Sequence, residues 1–187
     1  FYAMRKAADK YLQDNGIEIV FGGDIGCYTL GMSYPYNVID WLVSMGAGVG
    51  ISNGVARVID PKSQYVVALI GDSTFFHSGI PPLINLIKNN AEMTVVILDN
   101  YTTAMTGHQS SVSTPISIDP ENKKVISIND MLAPLHVDKI IQLDGYNIKQ
   151  MTDTFLKTFK TKGLNVIIVS AECALNKSKR LRKFKEW

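Results

Sequence analysis

Five short runs rich in Val, Ile, Leu and aromatic residues punctuate this chain, at 17–21, 65–70, 94–98, 139–143 and 165–170. Between them lie stretches with apolar residues at helical spacing, at 1–12, 38–59, 80–89 and 147–160. Strands that alternate with helices build βαβ units, and these build a parallel sheet covered on both faces. The expected fold is therefore α/β: an open parallel sheet between two helical layers. The pattern leaves the strand order open. Punctuation agrees with this reading. Asn15-Gly16 and Gly163 stop helices, Asn147 is placed to cap one, and Pro81 and Pro82 fall in a first turn. Gly22-Gly23-Asp24-Ile25-Gly26 reads as a loop, as does the polar stretch 101–124.

Two of the runs end in oxygen-bearing residues. Gly71-Asp72-Ser73-Thr74 follows run 65–70, and Leu98-Asp99-Asn100 closes run 94–98, with Asn100 twenty-eight residues after Asp72. The carboxyl edge of an open parallel sheet is where ligands bind. Asp72 and Asn100 are hard oxygen donors suited to magnesium, which takes one or two carboxylates and draws its other oxygens from water and phosphates. The pair points to a magnesium-bridged diphosphate. A plainer reading makes Asp72 a helix cap and Asn100 a turn former.

The chain has 187 residues, 46% hydrophobic and 19% charged, which suits one domain with a substantial core. No apolar run approaches the roughly 20 residues of a membrane helix, and no secretory signal is evident. Cys27 and Cys173 are far apart, which argues against a disulfide scaffold and against an iron–sulfur cluster held by this chain alone. A cytoplasmic location is expected. Residues 177–187 carry six Lys/Arg and one Glu. They read as a solvated basic tail or linker after a domain at 1–176, because no nucleic-acid motif accompanies them. Residues 1–12 lack an N-terminal cap and no Met precedes them, as in a piece of a longer chain.

Together the residues resemble a known family. The triplet at Gly71-Asp72-Ser73 with Asn100 is similar to the thiamine-diphosphate motif, with Ser73 where Gly is usual. Leu42-Val43-Ser44-Met45-Gly46-Ala47-Gly48, Asp24 to Gly31, and Asp99 to Gln109 narrow the likeness. They resemble the diphosphate-binding domain of the 2-oxoacid:ferredoxin oxidoreductases, the alpha subunit of the indolepyruvate branch in particular. Glu172-Cys173-Ala174-Leu175 resembles it again.

The resemblance implies the thiamine-diphosphate-binding fold and oxidative decarboxylation of a 2-oxoacid, an aryl pyruvate, to an acyl-CoA, with electrons passed to ferredoxin. It implies Mg2+ held by Asp72, Asn100 and the Thr102 carbonyl. Gly71, Ser73 and Thr74 would face the diphosphate, and Gly26 and Cys27 would border the diphosphate or the thiazolium. Cys27 is otherwise expected to be a small buried apolar residue. Val43 and Met45 would meet the pyrimidine through their backbone, with Met45 as an apolar wedge and Gly46 opening the small-residue helix behind it. Met105 and Thr106 would sit near the thiazolium, and His108 is the candidate proton donor to substrate, ahead of His77 and His136. [4Fe-4S] clusters and coenzyme A would belong to the full enzyme and not to this chain. The implied partners are a pyrimidine-binding domain and a ferredoxin-like domain in the same or a partner chain, a beta subunit, ferredoxin and the small-molecule 2-oxoacid. Nucleic acid and membrane are not expected partners. The ring-activating glutamate would come from elsewhere, because Glu18, Glu92, Glu121, Glu172 and Glu186 lie in no motif for it. This chain would supply half a site, inactive alone. Rival readings are a non-oxidative thiamine-dependent decarboxylase or acetolactate-synthase-like domain, and a phospho-receiver module with Asp72 as acceptor. The latter needs neighbouring acidic residues and a late-strand Lys, which the sequence reading does not find.

Overall fold

A computed structural model describes residues 1–114, 121 and 124–183. Six strands form one sheet: β1 (Glu18–Gly23), β2 (Trp41–Leu42), β3 (Gln64–Gly71), β4 (Met93–Asp99), β5 (Lys139–Asp144) and β6 (Leu164–Ser170). Their order is β2-β1-β3-β4-β6-β5, and every neighbouring pair is parallel. Helices α1 (Tyr2–Asn15) and α6 (Ile148–Thr158) cover one face; α2 (Ala47–Val58), α4 (Ile80–Lys88) and α5 (Ile128–Leu132) cover the other. The expected three-layer α/β architecture is the observed one. The strand runs look continuously apolar because both faces are buried. In β3, Val67 and Leu69 join the core under α1 and α6, while Val66, Ala68 and Ile70 join the core under α2 and α4.

Several local expectations fail for reasons that lie in tertiary contacts. Residues 38–59 are not one helix. Trp41 and Leu42 pair with Gly22 and Gly23 as the edge strand β2, and the Phe21 N–H donates to the Asp40 carboxylate at 2.7 Å. Gly46 then turns the chain at φ 85°, a left-handed value that favours glycine, before α2 begins. The predicted loop 22–26 starts later, because β1 runs on through Gly23. The helix expected from residue 80 is entered earlier. Asp72 opens a short turn, α3 (Asp72–Thr74), and a π-helical turn (Phe75–Gly79) carries it into α4. Pro81 and Pro82 have no N–H to donate to carbonyls one turn back, which fits a widened turn just before them. Asn147 does cap α6, its side chain accepting from the Gln150 N–H at 3.1 Å. The tail helix α7 (Ala174–Lys183) follows β6 directly. Of the expected 101–124 loop, 115–120, 122 and 123 lie outside the described residues, as do 184–187 of the expected basic tail. No helix among the described residues is long and apolar enough to cross a membrane.

The strand order creates the site. From β1 the chain steps outward to β2, then crosses back past β1 to β3. Connections on the two sides of β1 and β3 thus leave in opposite directions, which opens a crevice at their carboxyl ends. Leu69 is fully buried and Leu12 is exposed. Leu69→Ala is expected to lower unfolding free energy by roughly 2–5 kcal/mol, and Leu12→Ala to change it by no more than about 0.5 kcal/mol, both read by urea denaturation.

Candidate functional site

A cavity of about 370 Å³ lies at the carboxyl edge of the sheet. Its walls come from the turn after β1 (Gly26, Cys27, Tyr28), the turn after β3 (Gly71, Asp72, Ser73, Thr74) and the loop after β4 (Asp99, Asn100, Thr102, Thr103, Met105). Met45, Cys173 and Ala174 complete the rim. Ten residues picked out from the sequence therefore converge here: Gly26, Cys27, Met45, Gly71, Asp72, Ser73, Thr74, Asn100, Thr102 and Met105. Val43, Gly46, Thr106 and His108 are outside this lining. The Thr106 hydroxyl donates to the Gln109 side chain at 2.8 Å. His108 sits at φ 64°, and its Nε2 is buried without a hydrogen-bond partner. Cys27 is not a buried apolar residue: its side chain is exposed at the cavity, because the 3-10 turn Cys27–Met32 points Tyr28 inward instead. Met45 is 55% exposed, so it is not core packing.

The register of β3 and β4 explains the centre. Gly71 pairs with Leu98, so Asp72 and Asp99 leave adjacent strands at the same level. Asp99 in turn pairs with Ser170 on β6, whose hydroxyl donates to it at 3.2 Å. The Ser73 N–H donates to Asp72 Oδ1 at 2.8 Å, while Asp72 Oδ2 is buried with no partner. Burial foremost, with the Asp99 carboxylate alongside, raises the Asp72 pKa to about 6 against the opposing pulls of the Ser73 and Thr102 N–H groups. Burial also raises Asp99, opposed by the Tyr101 N–H and the Ser170 hydroxyl. Among the described residues the cavity lining holds no Lys, Arg or Glu. A buried carboxylate oxygen with neither donor nor counter-charge is costly, and a divalent cation would satisfy it. Asn100 Oδ1 accepts from the Thr102 N–H at 3.0 Å, which folds the two residues over Asp72, and the Thr102 hydroxyl donates to the Gln109 carbonyl at 3.0 Å. One carboxylate, one amide oxygen and one carbonyl make an oxygen-only donor set of the kind magnesium prefers. Ser73 stands in helical backbone, not at positive φ, so a side chain is accommodated there; its hydroxyl lies 2.8 Å from that of Thr103.

Three residues that shape the cavity are not evident from the sequence. Asp99 was passed over for its neighbour Asn100, since only the register puts it beside Asp72. Tyr28 lies within the segment Asp24 to Gly31, whose sequence gives its ring no particular role. Asp24 is fully buried, and its carboxylate accepts from the Gly46 N–H at 2.9 Å and from the Gly48 N–H. It thereby pins the loop bearing Met45, and the first turn of α2, to the end of β1. The sequence offers only an Asp among glycines ahead of a small-residue helix, which does not by itself report burial.

Comparison with known proteins follows this geometry. The family described as thiamine pyrophosphate enzyme, C-terminal TPP binding domain, matches residues 24–169. The chain is 40% identical over 183 residues to the indolepyruvate oxidoreductase subunit IorA of Archaeoglobus fulgidus, covering 98% of this chain and 28% of that protein. It is 40% identical over 176 residues to the same-named subunit of Methanothermobacter thermautotrophicus, covering 94% and 28%. The chain thus spans under a third of the length of these relatives. Among solved structures, 2-oxoglutarate:ferredoxin oxidoreductase from Magnetococcus marinus superposes with a TM-score of 0.74 at 18% identity, covering 92% of this chain and 61% of that one.

Two outcomes are expected. Between about pH 4 and 6 the folded state binds Asp72's proton more tightly than the unfolded state does, so stability of the metal-free protein falls as pH rises through that window. Urea titrations at stepped pH in chelator show this slope, and Asp72→Asn makes it shallower, the rest coming from Asp24, Asp40 and Asp99, which burial also raises. For the loop clamp, Asp24→Ala removes the acceptor of two N–H groups, costs roughly 1–3 kcal/mol, and strips hydrogen-exchange protection from the Gly46 and Gly48 amides.

Proposed function

The chain belongs to the thiamine pyrophosphate enzymes through their C-terminal TPP-binding domain, and on that footing we propose that it binds magnesium thiamine diphosphate for the oxidative decarboxylation of a 2-oxoacid. The observation that carries this reading is the partnerless Asp72 Oδ2 beside Asn100 and Thr102 in a lining free of cationic side chains. In this reading Asp72, the Asn100 amide oxygen and the Thr102 carbonyl hold Mg2+, and the diphosphate supplies further oxygens. Gly71, Ser73 and Thr74 offer N–H and hydroxyl groups to the diphosphate at the start of a helical segment, where anions are favoured. Met45, exposed at the rim and anchored through Gly46 to Asp24, would support the ring end of the cofactor. Val43 serves the same end through its backbone. Cys27, Met105 and Thr106 border the reacting end, and His108 stands on the loop toward which substrate approaches. When bound, thiamine diphosphate supplies the carbanion-stabilising chemistry that releases carbon dioxide from a 2-oxoacid.

The 2-oxoacid we assign is an aryl pyruvate, as the name of the indolepyruvate oxidoreductase relatives supports. Acyl transfer to coenzyme A and electron transfer through [4Fe-4S] clusters to ferredoxin fall to other parts of the enzyme: a ferredoxin-like domain, a pyrimidine-binding domain and a beta subunit. The glutamate that activates the ring comes from that pyrimidine-binding domain; the lining among the described residues contains none. Both cysteines are free thiols, which fits the cytoplasm.

Thermal unfolding tests the cofactor reading. Thiamine diphosphate with Mg2+ at about 100 times Kd is expected to stabilise by about 2.7 kcal/mol. Mg-ATP and acetyl phosphate leave the midpoint unchanged, and Asp72→Ala abolishes the shift. In the intact enzyme, an aryl pyruvate then yields reduced ferredoxin. Aldehyde as the product instead would favour the non-oxidative alternative.

A further inference from the structure

Among the described residues, two buried side-chain oxygens that line the cavity have no hydrogen-bond partner, Asp72 Oδ2 and the Tyr28 hydroxyl. The first is an acceptor and calls for a cation. The second carries a proton and calls for an acceptor. Tyr28 is only 7% exposed, and its ring belongs to the core cluster with Phe21, Val38 and Leu69. The far edge of the ring lies in a slot that two glycines leave open. A Cβ on Gly71 would stand 2.9 Å from Tyr28 Cε1, and a Cβ on Gly26 would collide with the same edge. The hydroxyl lies beside the Gly71 N–H and the Thr74 hydroxyl, near enough for both to temper the rise in its pKa, yet neither is aligned to close a hydrogen bond with it. Buried tyrosine hydroxyls ordinarily find a partner, so a fixed ring with an idle hydroxyl at a cavity wall is set up for a ligand atom. Burial, with Asp24 nearby, pushes the phenol above its usual range, so it keeps its proton.

Of the groups around that hydroxyl, the Gly71 N–H can only donate, the Thr74 hydroxyl makes no bond with it, and the nearby carboxylate, Asp72, is the residue a cation would occupy. An anionic oxygen adjoining a bound cation is the ligand atom this arrangement takes. Resting on the magnesium–diphosphate reading above, we propose that Tyr28 is a further binding residue of the site, its hydroxyl donating a hydrogen bond to an oxygen of the diphosphate. The missing side chains of Gly26 and Gly71 also make room for the ring that carries the donor.

Tyr28→Phe in the intact enzyme separates the possibilities, because Phe keeps the ring and deletes only the hydroxyl. Affinity for magnesium pyrophosphate and for magnesium thiamine diphosphate, measured by titration calorimetry, is expected to fall about tenfold for both. The apparent KM for the cofactor rises to match, while kcat at saturating cofactor is retained. The ligand-free variant melts at or above the wild-type temperature, since an unsatisfied buried hydroxyl has been removed. Unchanged pyrophosphate affinity overturns the proposal, and so does a loss confined to thiamine diphosphate. A lower ligand-free melting temperature overturns it as well, because the hydroxyl would then be a brace within the fold. If the wild-type enzyme binds neither ligand, the magnesium–diphosphate reading falls and this inference with it; if it binds both and Tyr28→Phe matches it, only the inference falls.

Discussion

Two carboxylates placed side by side, Asp72 buried and Asp99 half-buried, in a cavity with no basic side chain among the described residues, set the terms for this structure. Asp72 and Asp99 meet because Gly71 is paired with Leu98 across β3 and β4. A one-residue slip of that ladder would turn one of them to the opposite face. Burial and mutual repulsion hold Asp72 near a pKa of about 6, a cost that a folded chain sustains only where something compensates. Here the compensation from within the chain is partial: one N–H from Ser73, and the Tyr101 N–H and Ser170 hydroxyl on the Asp99 side. The remaining oxygen of Asp72 is left to a ligand.

The sheet makes such a site possible by stiffness. β3 and β4 are central strands, paired on both sides and covered on both faces, so their tips cannot drift apart to relieve the repulsion. The more adaptable parts are then tethered to them. The Asp24 carboxylate joins the end of β1 to the entry of α2 and so fixes where Met45 stands. An antiparallel bridge between Thr103 and Gln109 closes the loop after β4 on itself. The cavity is thus walled by turns that each hang from a buried strand, which is how a rigid scaffold places polar groups to within a hydrogen bond.

Much of this was legible in the residues. The strands at 65–70 and 94–98 were found nearly to their ends, because a continuous apolar run between turn formers has few other fates in a βαβ pattern. Asp72 and Asn100 were found because each terminates such a run. What was missed has a common cause. β2 is two residues long and exists only through its pairing with β1. Residues 38–46 have helical composition, but Asp40 and Gly46 are held by β1 and by Asp24. Asp99 looked like a strand terminus, Tyr28 like one more aromatic residue and Asp24 like a loop carboxylate, since no local pattern reports which of them face the same space.

The sequence alone determined the class of fold and the chemical character of the site: apolar periodicity selects strands and helices by a local rule, and oxygen-bearing residues at strand ends reach one edge of any parallel sheet. Only the tertiary structure decided strand order, which side chains share the cavity, and which buried oxygens lack a partner. Those depend on register and packing between segments far apart in the chain. Such contacts are set by the free energy of the whole fold and leave no mark on any single stretch of it.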